Sequence, residues 1–222
     1  MGGLSLVLAL AVAAPAVLRG QVEHIRDLAP GKFLVAARKL PDPNFAQTVV
    51  LLCRHDEKGT MGLVINRQTR LSFDKVFEQL REAKDRGDSV FLGGPVQISG
   101  VLALLRSKSK PEDAMHVFED LYLVSHKPAL EKAVTAGYDS THLRIYLGYS
   151  GWSRGQLVRE LEMGAWHILR GDPNFVFDSD PDTVWTRLIK RTELRIAGFG
   201  PEPGNQREGR FPLRLNRGAR QD

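Results

Sequence analysis

The stretch Leu143-Arg144-Ile145-Tyr146-Leu147-Gly148-Tyr149-Ser150-Gly151-Trp152-Ser153-Arg154-Gly155-Gln156-Leu157 decides the fold class. Leu143, Ile145 and Leu147 alternate onto one face, as on a strand whose successive side chains point to opposite sides. Ser153 and Gln156 then stand in the Ser-x-x-Gln form of a capping box, with Trp152 and Leu157 at the flanking staple positions. A strand over 142–149 therefore runs into a helix over 153–163, which Gly164 ends. The two glycines between them predict a sharp turn, with Trp152 packing as the staple.

Outward from this junction, β-branched and apolar runs predict further strands over 32–37, 48–53, 61–66, 89–92, 101–105, 121–124 and 165–169. The run 48–53 is continuously apolar, as a strand buried on both faces requires, and Glu57-Lys58-Gly59 turns it back onto 61–66. Pro41, Asp42, Pro43 and Asn44 are turn chemistry. A helix is predicted over 71–86: Ser72 caps it, Leu71 and Val76 staple it, and Phe73, Val76, Phe77 and Leu80 form its apolar face. Pro128 opens a short helix through 134, and Asp180-Pro181 opens a last one with Val184, Trp185 and Leu188 on one side. Strands and helices interleave irregularly, which predicts one α+β domain with a mixed sheet flanked by helices over 28–198.

The flanks read differently. Residues 1–20 form an apolar leader whose run 4–14 suits a secretory signal peptide and is too short to span a bilayer. Ala14-Pro15-Ala16 has the small-x-small form of a cleavage site, so the expectation is export to the periplasm or exterior, with no transmembrane span after processing. A cytoplasmic protein is the alternative, because residues 1–3 carry no Lys or Arg. Residues 21–27 are a polar connector, and 199–222 are a basic tail of disordered composition carrying Arg207, Arg210, Arg214, Arg217 and Arg220. The net charge of +5 permits weak attraction to anions and specifies no partner.

The chemistry-bearing residues are few. Cys53 is the only cysteine, which excludes an internal disulfide and any multi-cysteine metal site. Cys53 and His55 are two apart on a predicted strand, so their side chains share a face and an imidazolium could activate the thiol. The simpler reading is a buried, inert Cys53 and a turn-capping His55. Gly148-Tyr149-Ser150-Gly151-Trp152 misses the nucleophile elbow Gly-x-Ser-x-Gly at its last position. Gly93-Gly94-Pro95 reads as a tight turn or as a small anion nest. The six histidines lack ligand spacing, so no metal or cofactor is expected. No helix-turn-helix or basic helix supports direct DNA binding, since Arg154 and Arg159 are offset by Glu160 and Glu162.

Five ordered motifs carry a family resemblance: 40–45 (Leu-Pro-Asp-Pro-Asn-Phe), Cys53-Arg54-His55, 59–67 (Gly-Thr-Met-Gly-Leu-Val-Ile-Asn-Arg), Gly93-Gly94-Pro95, and 147–152 continuing to Gly155-Gln156-Leu157 and Glu160, with Trp166 beyond. The chain resembles the YqgE/AlgH family of bacterial proteins over about 28–197. The resemblance implies an α+β fold with a strongly curved mixed sheet, a description as transcriptional regulators, and no established enzymatic activity, cofactor or DNA-binding motif. It also implies a mostly cytoplasmic setting without a leader, from which this chain departs. Gln68 stands where the family usually has Pro, and the stretch after Gly93-Gly94-Pro95 is shortened. Two function classes follow: a non-enzymatic binding or regulatory protein with a protein or small-molecule partner, and a thiol-dependent enzyme or redox-responsive protein using Cys53 with His55. A ligand pocket is expected near Asn66, Arg67, Gly93, Gly94 and Trp152.

Overall fold

The computed structural model describes residues 25–84 and 86–198. The leader, most of the connector and the basic tail lie outside the described residues. Among those described, no helix is long and apolar enough to cross a membrane.

Ten strands form one curled mixed sheet: β1 (Lys32–Ala36), β2 (Val49–Asp56), β3 (Gly59–Val64), β4 (Gln68–Ser72), β5 (Ser89–Leu92), β6 (Val96–Arg106), β7 (Ala114–Phe118), β8 (Leu121–Val124), β9 (Leu143–Trp152) and β10 (Trp166–Arg170). The helices are α1 (Phe73–Val76), α2 (Lys127–Thr135), α3 (Gln156–Glu162), α4 (Pro173–Val176) and α5 (Pro181–Gly198). The strand order is β10-β1-β2-β3-β9-β6-β8-β7, with β5 also paired to β9 and β4 paired to β5. All pairs are antiparallel except β5 with β9. The expected α+β domain with a curved mixed sheet is the fold observed.

The sheet branches at β9. One side of β9 pairs with β6 at Leu143–Leu147 and, past a register shift, at Tyr149; the other pairs with β5 at Ile145–Leu147 and with β3 at Ser150–Trp152. The switch of partner falls where the chain leaves β5 through Gly93-Gly94. Gly93 N–H donates to Leu147 O (2.8 Å), and Gly93 O accepts from Val64 N–H (2.9 Å) and from the Ser150 hydroxyl (3.0 Å). A Cβ on Gly93 would lie 2.4 Å from Gly148 O, and one on Gly94, at φ +152°, 2.4 Å from Ser150 N. Backbone crosses backbone here, which only glycine allows. The expected sharp turn at 148–151 is therefore a correction: β9 runs through to Trp152, with Gly148 at φ +64° inside it.

β9 is buried on both faces over its first half. Leu143 and Ile145 join a core cluster with Phe73, Ala103, Leu130 and Val134. Tyr146 and Trp152 join a larger one with Phe33, Leu51, Ile65, Trp185 and Leu188. The far strand β7 curls back toward β1, so that a Cβ on Gly31 would lie 2.5 Å from that of Phe118, and Arg170 pairs with Glu119 at 3.5 Å.

The predicted helix over 71–86 is corrected to strand β4, the single turn α1 and a 3-10 turn at Arg81–Ala83. Leu71 lies on β4 and is 39% exposed, and the Ser72 hydroxyl donates to Asp74 rather than capping a backbone N–H. The helical spacing nonetheless marked the packed residues: Phe73, Val76, Phe77 and Leu80 all reach the same cluster. Separate turns bury them as well as one helix would, and Phe77 already leaves helical geometry at φ −120°, ψ 41°. The capping box at α3 is half formed. Gln156 Oε1 accepts from Ser153 N–H (3.1 Å) and from its hydroxyl (3.2 Å), while Gly155, left-handed at φ +73°, takes the cap position.

Two glycine substitutions separate crossing from conformation. Gly94→Ala forces a methyl into the Tyr149–Ser150 backbone and costs more than about 4 kcal/mol, beyond the usual range for point changes. Gly137→Ala, at φ +75° with open space around it, costs about 1–2 kcal/mol for the left-handed backbone alone. Urea denaturation midpoints of the two variants against the parent check the order.

Candidate functional site

Each residue nominated from sequence has a definite place. Cys53 closes the buried part of β2 and is 1% exposed, with its thiol directed to Leu51 O at 3.6 Å. Burial pushes the thiol up to about 12, so the thiolate is scarce at neutral pH. The ladder to β3 slips between Leu52 and Arg54, so Cys53 is the extra residue of a β-bulge. That bulge breaks the alternation that would set Cys53 and His55 on one face: the next three residues are exposed. His55 Nδ1 pairs instead with Thr60 Oγ1 across the hairpin at 2.7 Å. The structure does not bring the two together as a thiol–imidazole pair.

Asn66, Arg67 and Trp152 converge on a segment of this same chain. Asn66 Nδ2 donates to Gln47 O (3.0 Å) while its Oδ1 accepts from Val49 N–H (2.8 Å). Arg67 donates to Asn44 O (2.6 Å) and Ala46 O (3.3 Å). Phe45 stacks on Trp152 at 6.0 Å and meets Trp166 edge-on at 5.5 Å. The loop over 40–47 thus occupies the position expected for a ligand, and its own Asp42 carbonyl accepts from the N–H groups of Phe45 and Ala46. Gly93 and Gly94 are filled by the β9 crossing.

Glu160 holds the two tryptophans. Its Oε2 accepts from the indole N–H of Trp152 (2.9 Å) and of Trp166 (2.8 Å), and its Oε1 accepts from Gln156 Nε2 (3.0 Å). Both rings are buried, so each N–H needs this acceptor.

Sequence reading missed Arg144 and Tyr146. Arg144 lies on the inner face of β9, donates to Val176 O (2.7 Å) and Asp178 O, and covers the Phe91 ring at 4.4 Å. Burial lowers its basicity. Tyr146 is fully buried beside it, where burial pushes its hydroxyl well above the ordinary range. An arginine between two apolar strand positions carries no sign of burial, because its partners are carbonyls at the end of α4 and just after it.

An open polar groove lies among the described residues. It lies between the β2–β3 hairpin and the turn into α3, lined by His55, Asp56, Glu57, Thr60, Ser153 and Arg154 over Leu157 and Val158, with a volume of about 170 Å³. Asp56 is already engaged: its Oδ1 accepts from Lys58 N–H (2.8 Å) and its Oδ2 pairs with Arg54 (3.3 Å). Glu57 and Arg154 have no side-chain partner among the described residues. Sequence reading had Arg154 only as one of several helix charges, and the hairpin contact that makes it a groove residue is tertiary. No group of three or more His, Cys, Asp or Glu side chains among the described residues is placed to hold a metal.

The AlgH-like family pattern matches residues 33–197. A UPF0301 protein of Chlorobium limicola is 33% identical over 187 residues, covering 82% of this chain and 98% of its own length. A UPF0301 protein of Streptomyces avermitilis is 34% identical over 182 residues, covering 78% and 91%. The solution structure of the AlgH protein from Pseudomonas aeruginosa superposes with a TM-score of 0.62 at 31% identity, covering 77% of this chain and 93% of that one. A crystal structure from Corynebacterium diphtheriae gives 0.64 at 22% identity and shares the fold, covering 80% and 90%.

The buried thiol sets a measurable outcome. Iodoacetamide at pH 8 leaves Cys53 of the native protein unlabelled and modifies it fully in denaturant. Because the folded thiol titrates above its unfolded value of 9.0, the stability it confers is complete below pH 9 and declines as pH rises toward 12. Urea midpoints across that window, compared between the parent and Cys53→Ala, read the thiol's share.

Proposed function

The chain belongs to the AlgH-like family, and on that premise we propose that it is a non-enzymatic binding protein of regulatory type, which uses the groove between the β2–β3 hairpin and α3. One observation carries the reading. The motif residues are committed inside the fold, whereas Glu57 and Arg154 face the groove without a partner. A site built for recognition keeps a few uncommitted polar groups at a concave surface.

The competing thiol reading asks for a nucleophile activated by a neighbouring base. A fully buried Cys53 on a bulge, with His55 bonded to Thr60, does not favour it. Direct DNA binding is not part of the proposal: α3 is seven residues long, and its Gln156 and Glu160 are engaged within the chain.

The experiment is competitive growth of a deletion strain carrying each variant against the parent. Cys53→Ala restores full fitness, and Arg154→Glu, made with no loss of thermal stability, does not. Loss of fitness in a folded Cys53→Ala protein would favour the thiol enzyme instead.

Export through the leader over 1–20 is proposed alongside. Sequencing the N-terminus of the protein from fractionated cells finds a start near Val17 or Leu18 outside the cytoplasm. An intact Met1 in the cytosol overturns export.

A further inference from the structure

The loop over 40–47 is held on the sheet as a bound peptide would be. Inside it, the N–H groups of Phe45 and Ala46 donate to Asp42 O (3.0 and 2.9 Å), and that of Asn44 donates to Asp42 Oδ1 (2.8 Å). Thr48 closes its base through N–H and hydroxyl bonds to Phe45 O (3.2 and 2.8 Å). The turn therefore keeps its shape through its own bonds. What fastens it to the sheet reaches in from outside: Arg67 donates to the carbonyls of Asn44 and Ala46, Asn66 donates to that of Gln47, and two indoles meet the Phe45 ring. Asn44, Ala46 and Gln47 are exposed, and Phe45 is half-buried. Gln47 sits at φ +57°, a left-handed backbone that disfavours a side chain and so lowers the cost of release.

Beneath the loop stands a built site. Trp152 and Trp166 are both 4% exposed and meet edge-on at 6.1 Å and 82°. Glu160 fixes both indoles, so the corner between them keeps its form without the loop. Phe45 lies 26° from the plane of one ring and 74° from the other, the stacked and edge-on arrangements that aromatic pairs prefer. The corner thus takes one aromatic side chain. The Arg67 fork takes the carbonyls of the residues before and after it. A free aromatic amino acid has neither carbonyl, so these contacts select a polypeptide.

We propose that this corner is a receptor for an aromatic residue of a partner polypeptide, and that the 40–47 loop is a displaceable strap that fills it in cis. The strap keeps the site closed to weak competitors, because tethering gives it an effective concentration on the order of millimolar. A partner segment that stacks a ring in the corner and offers two carbonyls to Arg67 replaces it contact for contact. The inference goes beyond the groove reading and does not rest on it.

The test is a 1H–15N NMR titration of the full-length protein with acetyl-Pro-Asn-Phe-Ala-amide, the sequence of residues 43–46. The same peptide with Ala in place of its Phe, and free L-phenylalanine, are the comparison probes. In the parent, the indole peaks of Trp152 and Trp166 shift saturably, with a dissociation constant on the order of millimolar. The Trp185 indole, bonded to Ala36 O, stays in place, and the amides of Phe45, Ala46 and Gln47 move in step as the strap leaves. Phe45→Ala removes the competitor and tightens the peptide about tenfold, and adding Arg67→Ala reverses that gain. Indoles of the parent unmoved by a millimolar excess of peptide overturn the inference, and that titration decides it even where Phe45→Ala does not fold. Indole shifts without movement of the strap amides, or equal binding of either comparison probe, overturn it as well.

Discussion

The structure depends on one crossing. β9 changes neighbour from β5 to β3 within a few residues, and the chain leaving β5 must pass against it with no side chain between. Gly93, Gly94 and Gly148 meet there, with backbone oxygens where their Cβ atoms would be. The Ser150 hydroxyl and the Val64 N–H both turn to Gly93 O, so a buried carbonyl stays satisfied. Because β9 pairs with β6, β5 and β3, both core clusters are fixed once this crossing forms.

A second layer of motif residues fastens the surface to that sheet. Asn66 and Arg67 bind carbonyls of the 44–47 segment, and Phe45 of the same loop is pressed onto Trp152 and Trp166. Glu160 in α3 then accepts from both indoles, which ties the helix to β9 and β10. Motifs that look like ligand chemistry in a linear sequence are thus largely intramolecular. What they produce is a rigid frame, and the hairpin and the α3 turn border the groove from fixed positions.

Much of this was legible from residue pattern. β8 falls on its predicted span, and the last helix opens at Pro181 and buries Val184, Trp185 and Leu188 as expected. Misreadings came where local pattern has more than one solution. Phe73, Val76, Phe77 and Leu80 bury in turns as readily as in a helix, so their spacing gave the packed residues and misjudged the backbone. The alternation rule set Cys53 and His55 on one face, and a bulge of one residue undid it. A bulge has no reliable local signature, since it answers the twist of the neighbouring strand.

By itself the sequence determined which segments extend, which turn and which faces are apolar, because those follow from side-chain period and from glycine and proline geometry. It also determined that a single cysteine forms no internal disulfide. Only the tertiary structure decided which polar groups remain free. Asn66 and Arg67 found partners about twenty residues away and Glu160 found the indoles at the ends of the two strands flanking α3, while Glu57 and Arg154 line the groove without a partner among the described residues. Whether a hydrogen-bonding group is used up depends on what the fold brings within about 3 Å of it, and no spacing rule along the chain encodes that distance.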